Sequence, residues 1–136
     1  MTERPLPDVD DPEFAPYWAA TSRGELRVPR CTACGRFGWP PRPVCPRCHG
    51  FDFTWEPVAA RGQLYSWTVV GHQTTRGLPP PYVVGLVEVE PGVRMLGGVV
   101  GVETGELRAG LALAARFEPV APNVNLVNWT AVERDG

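Results

Sequence analysis

The chain has 136 residues, 43% of them apolar, and its thirteen basic residues are all arginine against fifteen carboxylates, for a net charge of −2. That length holds one compact domain or a small domain with an appendage, and the apolar content is too high for a disordered chain. The acidic balance argues against a general nucleic-acid binder, whose affinity rests on phosphate neutralisation, and the absence of lysine excludes lysine Schiff-base chemistry.

Residues 1–10 read as a flexible tail. The opening MTERPLPDVDDPEF is acidic and has no apolar core, so it is not a signal peptide. No run approaches the roughly 20 apolar residues of a membrane span, and the expected location is the cytoplasm. The segment DDPEFAPYWAATSRG then predicts a short helix. Asp10 or Asp11 suits its cap, Pro12 its first turn and Gly24 its stop. Phe14, Tyr17, Trp18 and Thr21 recur at i, i+3, i+4 and i+7, giving one aromatic face. That face needs a surface to dock on, either the protein's own core or a partner.

GELRVP reads as a strand leading into RCTACGRFGWPPRPVCPRCHG. All the cysteines of the chain stand here, as two C-x-x-C pairs, Cys31/Cys34 and Cys45/Cys48, with ten residues between the pairs. Four thiolates close a tetrahedral shell around Zn²⁺, and two residues between ligands let one tight turn present both sulfurs to the same ion. Gly35 and Gly50 supply positions where φ turns positive, and Pro46 stiffens the second turn. Two disulfides or a redox dithiol are the competing readings. A reducing cytoplasm disfavours the first, and the missing βαβ context disfavours the second. A shell filled by four cysteines leaves no position for water, so the zinc is structural and not catalytic. His49 is expected to be a solvent-facing residue of the second knuckle.

From residue 53 the pattern turns to β. GQLYSWTVV (62–70) sets Leu64, Ser66 and Thr68 on one side against Tyr65, Trp67 and Val69 on the other. Further strands are expected over 82–90, 93–103, 111–119 and 125–133, with turns at EPGV and ETGE. Five antiparallel strands of this length suit a small closed barrel, which leaves no sticky edges. Gly85, Gly97, Gly98 and Gly101 fall inside the expected strands, where glycine permits bends, bulges or close approach. The loop 72–81 is the longest, and its prolines stiffen it either for a partner contact or as a passive connection. The chain is therefore read as mainly β: tail and helix over 1–24, a zinc ribbon over 25–52 and a barrel over 53–136. Neither His49 nor His72 lies near an obvious nucleophile, and no complete catalytic set is visible.

The order of parts resembles the DUF35 family. The four cysteines, PPR at 40–42, G-x-L-Y-S at 62–66 and PY at 81–82 match its pattern in order, over about residues 12–120. The C-terminal strand with Asn123, Asn125 and Asn128 is less typical of it. The resemblance implies a rubredoxin-like zinc ribbon joined to an OB-fold, in a non-catalytic subunit that assembles with a thiolase-superfamily enzyme. It implies that the partner supplies the reacting residues and acts on acyl-CoA thioesters, as an aldolase shortening steroid side chains, a thiolase or an acyltransferase. The small chain then buttresses the partner and helps to form the CoA channel. Arginine grips phosphate bidentately, so Arg23, Arg27, Arg36, Arg42 and Arg47 are the candidates for CoA contact. Phe14, Tyr17, Trp18, Trp39, Pro79 and Pro80 are the candidates for the partner face. Two other readings stay open: a stand-alone acyl-CoA carrier, and a single-stranded nucleic-acid module in which Trp55, Tyr65 and Trp67 stack bases.

Overall fold

The computed structural model describes residues 4–132. Helix α1 spans Ala15–Thr21, and strands follow at Leu26–Cys31 (β1), Phe53–Val58 (β2), Arg61–Val70 (β3), Tyr82–Val89 (β4), Val93–Val99 (β5), Ala112–Ala121 (β6) and Val124–Ala131 (β7). A 3-10 turn at Thr104–Glu106 bridges β5 and β6.

The helix starts later than its cap signals suggest. The Asp11 carboxylate takes the Glu13 N–H at 3.0 Å, and its carbonyl takes those of Phe14 and Ala15 at 3.0 and 2.7 Å. Asp11 therefore closes a turn ahead of the helix. Phe14 occupies the cap position with no side-chain bond, and Pro16 sits within the first turn, where its missing N–H costs nothing. The stop is as expected: Gly24 adopts φ +74°, and the Glu25 N–H reaches back to the Ala20 carbonyl at 3.0 Å.

Strands β1 and β2 form an antiparallel ribbon, in register from Leu26↔Val58 to Cys31↔Phe53. Residues 53–58, assigned to the barrel from sequence, thus pair with the strand that carries the first cysteine. The remaining five strands close a barrel in the order β3-β4-β5-β7-β6. Every pair is antiparallel except β5–β7, which is parallel and only two residues long, Gly98↔Asn128 and Val99↔Trp129. β5 ends at Val99 rather than at 103, and β6 runs on to Ala121. The expected end of the last strand at residue 133 lies outside the described residues.

One core serves both units. Leu64, Val87, Val89, Val93, Met95, Val99, Leu113 and Trp129 fill the barrel, and Leu26 and Val28 of the ribbon belong to the same cluster. The asparagines of the C-terminal strand have structural employment. Asn125 donates to the Thr21 carbonyl at 2.9 Å and pins the end of α1 to β7, Asn128 donates to Glu118 at 2.6 Å, and Asn123 takes φ +60° in the β6–β7 turn. The N-terminal tail is also tied down where it is described: Arg4 pairs with Glu118 at 2.6 Å. Among the described residues, no helix is long and apolar enough to cross a membrane.

Candidate functional site

The two C-x-x-C turns hang from opposite ends of one excursion between β1 and β2. Each knuckle closes with the same bond: the Gly35 N–H donates to the Cys31 carbonyl and the His49 N–H to the Cys45 carbonyl, both at 2.9 Å. Gly35 has φ +77°, and its counterpart is His49 at φ +65°, not Gly50. Gly50 is needed for room instead, since a Cβ there lies 3.3 Å from Cys48 Sγ and 3.5 Å from Cys31 Sγ. A second clamp on the first knuckle comes from Arg30. Its Nε donates to the Gly35 carbonyl at 3.0 Å, and its guanidinium lies 4.7 Å over the Phe37 ring.

These turns gather the four cysteine Sγ atoms within 4.8 Å of one another. Cys31 and Cys48 approach to 3.5 Å, and Cys34 and Cys45 to 3.7 Å. Zn–S bonds of about 2.3 Å in a tetrahedron place sulfurs about 3.8 Å apart, so the cluster fits a zinc ion. The electrostatics agree with a cation site. The Cys48 and Arg47 N–H groups hold the Cys45 thiol down at about 6, and the Cys34 N–H leads the lowering at Cys31. At Cys48 the Gly50 N–H also pulls downward, but the Cys31, Cys34 and Cys45 sulfurs and desolvation push the thiol up to about 12. Four thiolates so close need a dication to coexist.

Beside the knuckles lies a cavity of about 200 Å³, walled by Arg36, Trp39, Arg42, Val44, Pro46 and Phe53. Of the five arginines singled out from sequence, it brings together Arg36 and Arg42. Arg47 is exposed on the second knuckle. Arg23 and Arg27 are engaged with Glu25, at 3.5 and 3.2 Å, and Arg27 also donates to the Trp55 carbonyl at 3.2 Å. The Arg27 hydrogen bond, more than any other contact, holds the Glu25 carboxyl below the usual range.

The aromatic residues of α1 meet Trp39 within the chain. Phe14 and Tyr17 sit 6.0 and 4.9 Å from its ring, Trp55 packs on its other side at 6.3 Å, and Trp18 packs on Tyr17 at 4.9 Å. Of this cluster, Trp39 lines the arginine-lined cavity, and the other rings hold it from behind. Pro79 and Pro80 are exposed in the loop between β3 and β4 and do not line the cavity. Of the residues considered for base stacking, Trp55 is inside the cluster, Tyr65 lies under the Arg94 guanidinium at 3.7 Å, and Trp67 is exposed.

Burial in the cluster pushes the Tyr17 hydroxyl up to about 12. An unfolded tyrosine ionises near pH 10, so between pH 10 and 12 the unfolded chain binds fewer protons than the folded one and stability falls as pH rises. The wild type is expected to lose about 2 kcal/mol over that range relative to Tyr17→Phe, while the two match at pH 7. Urea unfolding of both at pH 7, 10 and 11.5 checks this.

Family models match nearly this whole assembly: the ChsH2 rubredoxin-like zinc ribbon domain over residues 18–54, and the ChsH2 C-terminal OB-fold domain over residues 55–118. The solved structure of the Ltp2-ChsH2(DUF35) aldolase superposes with a TM-score of 0.83 at 30% identity, covering 92% of this chain and 98% of that one. The chain belongs to the DUF35 family. Two curated relatives are themselves named as subunits of acyl-CoA enzymes. One is the "Probable enoyl-CoA hydratase alpha subunit" of Thermomonospora curvata, 32% identical over 90% of this chain and 38% of the relative. The other is the benzoylsuccinyl-CoA thiolase subunit BbsA of Thauera aromatica, 31% identical over 56% of this chain and 52% of the relative. The chain thus spans well under two thirds of the length of either relative.

Proposed function

We propose that this DUF35 chain is a non-catalytic accessory subunit of a thiolase-superfamily enzyme acting on acyl-CoA thioesters, in retro-aldol cleavage of a steroid side chain or in acyl transfer. One observation carries the reading: the same ribbon-and-barrel unit matches a hydratase subunit, a thiolase subunit and an aldolase. Three different bond changes share one module, so the module serves what they have in common, the handling of a CoA thioester, and the partner supplies the chemistry.

Cys31, Cys34, Cys45 and Cys48 hold a structural Zn²⁺. Four protein sulfurs fill its shell, and its chemistry is to lock the knuckles in place. The rigid knuckles present Arg36 and Arg42 at the cavity rim, with Arg47 nearby in the second turn. Two guanidinium groups on one cavity match the phosphates of CoA, which they grip with paired charge-assisted hydrogen bonds. Trp39, fixed by Phe14, Tyr17 and Trp55, supplies an apolar wall for the pantetheine arm.

The test is co-expression with a thiolase-type partner. The purified complex should turn over its acyl-CoA with both chains required, and Arg36→Gln/Arg42→Gln should raise KM for the CoA ester roughly tenfold or more with kcat nearly unchanged. The same pair should leave turnover of an N-acetylcysteamine thioester, which lacks the phosphates, as it was. A partner fully active alone overturns the reading, and so does equal loss on both thioesters for its CoA part.

A further inference from the structure

We propose that the free edge of β3, from Ser66 to Val70, is the strand to which the partner enzyme adds an extended segment of its own chain. The inference rests on the accessory-subunit reading above and names the surface through which it operates.

β3 is shared unequally. It pairs with β4 as far as Val70, but with β6 only over Arg61–Gln63. The last bonds on that second side are between Leu64 and the 110–111 turn. Beyond a bulge between Leu64 and Ser66, no strand among the described residues covers the outer edge. The alternation expected from sequence fails at the same place: Tyr65, Ser66, Trp67, Thr68 and Val69 are all exposed. Tyr65 and Trp67 remain 48% and 38% accessible, and Val69 42%. No residue of the strand itself guards this edge. Between Arg61 and Arg76 the sequence has no charged residue, and the free stretch has no proline. Edges that must stay alone usually carry one or the other.

A row of unpaired N–H and C=O groups fits an extended backbone, and the side chains select which. Trp67 and Val69 fall two apart, on one face, and call for apolar side chains at alternate positions of the incoming strand. The neutrality of the edge calls for an uncharged segment and a contact indifferent to salt. Past Val70 the chain runs straight into the proline-stiffened loop in which Pro79 and Pro80 are exposed, and this loop continues the surface. A second copy of the chain fits less well. Self-pairing joins five residues a side, a strip about 16 Å long and about 10 Å wide, on the order of 300 Å² in total and far below the roughly 1,200 Å² of a stable specific interface. A partner that docks more broadly has no such limit.

The experiment uses the co-expressed complex. Amide exchange over Ser66–Val70 should slow severalfold or more on complex formation. Val69→Lys and Trp67→Glu should each weaken assembly at least tenfold while the isolated chain keeps its melting temperature within a few degrees. Leu96→Lys, a charge placed on a still more exposed apolar residue of β5, should leave assembly unchanged. Raising salt from 0.1 to 1 M should alter the wild-type Kd less than threefold. A stable complex with no slowing at 66–70 and no effect of Val69→Lys overturns this inference and spares the accessory-subunit reading. Self-association of the isolated chain that Val69→Lys abolishes also overturns it, in favour of a dimer edge. A wild-type chain that forms no complex with any thiolase-type partner removes the parent reading itself.

Discussion

Cys45→Ala is expected to release the metal and unfold the whole excursion from Thr32 to Asp52. Between β1 and β2 the chain makes no regular strand of its own. It touches the ribbon through one isolated bridge, Arg30↔Phe37, and a few backbone bonds such as Thr32 N–H to the Asp52 carbonyl at 3.0 Å. Its apolar burial is limited: Cys31 and Cys45 are each 1% exposed, Pro41 is buried, and Phe37 and Trp39 pack partly buried against the core. Structural zinc in small cysteine-rich modules carries an apparent binding energy of about 10–16 kcal/mol, which becomes folding energy. Loss of one ligand thus removes most of what orders the segment. Wild type should contain one zinc per chain by elemental analysis and resist proteolysis in the knuckles until a strong chelator is added. The variant should contain none and be cut there at once, with Trp39 exposed and the arginine cavity gone. Leu26 and Val28 sit in the barrel's core cluster, so β1 stays docked and the barrel still melts cooperatively. Zinc-free wild type with intact knuckles overturns this account.

How far the sequence foretold all this depends on the range of the interactions involved. The cysteine cluster was legible because C-x-x-C is a local geometry: one turn fixes two sulfurs, whatever the rest of the chain does. The barrel strands were legible for the same reason, from alternation within eight or ten residues. Failures came where a distant residue decides. The segment 53–58 has ordinary strand chemistry, and nothing local in it shows that its pairing partner is Leu26–Cys31. The helix began late because Asp11 satisfies the Glu13 N–H locally, in an Asx turn that competes with a cap. His49 in a left-handed conformation was unexpected where glycine usually sits, yet the parallel between CTACG and CPRCH was there to be read. Of five candidate arginines, sequence proximity could not separate those paired with Glu25 from those at the cavity. The β3 edge was invisible, because an unpaired strand looks like a paired one until its neighbours are placed.

Trp129→Ala is expected to destabilise the barrel by about 4 kcal/mol, a large share of the roughly 5–15 kcal/mol that holds such a domain. The ring is 1% exposed, and its residue stands at the narrowest join of the barrel. There Trp129 pairs with Val99 on one side and Ala115 on the other, and its carbonyl accepts the Val100 N–H at 2.8 Å. The parallel join is two residues long, so the indole packing holds closed what few hydrogen bonds can. Gly97 lies directly against it. A Cβ at Gly97 falls 2.8 Å from Cδ1 and 2.9 Å from Nε1 of Trp129, and 3.1 Å from the Val127 carbonyl. A packed indole cannot retreat, so Gly97→Ala alone should cost roughly 1–3 kcal/mol. Phenylalanine keeps a ring edge where the methyl meets the indole but lacks the fused second ring, so the smaller side chain has room to retreat. Gly97→Ala combined with Trp129→Phe should therefore be less destabilised than the sum of the single changes, by about 1 kcal/mol in urea unfolding. Strict additivity would show that the cost at Gly97 comes from the Val127 carbonyl and not from the ring.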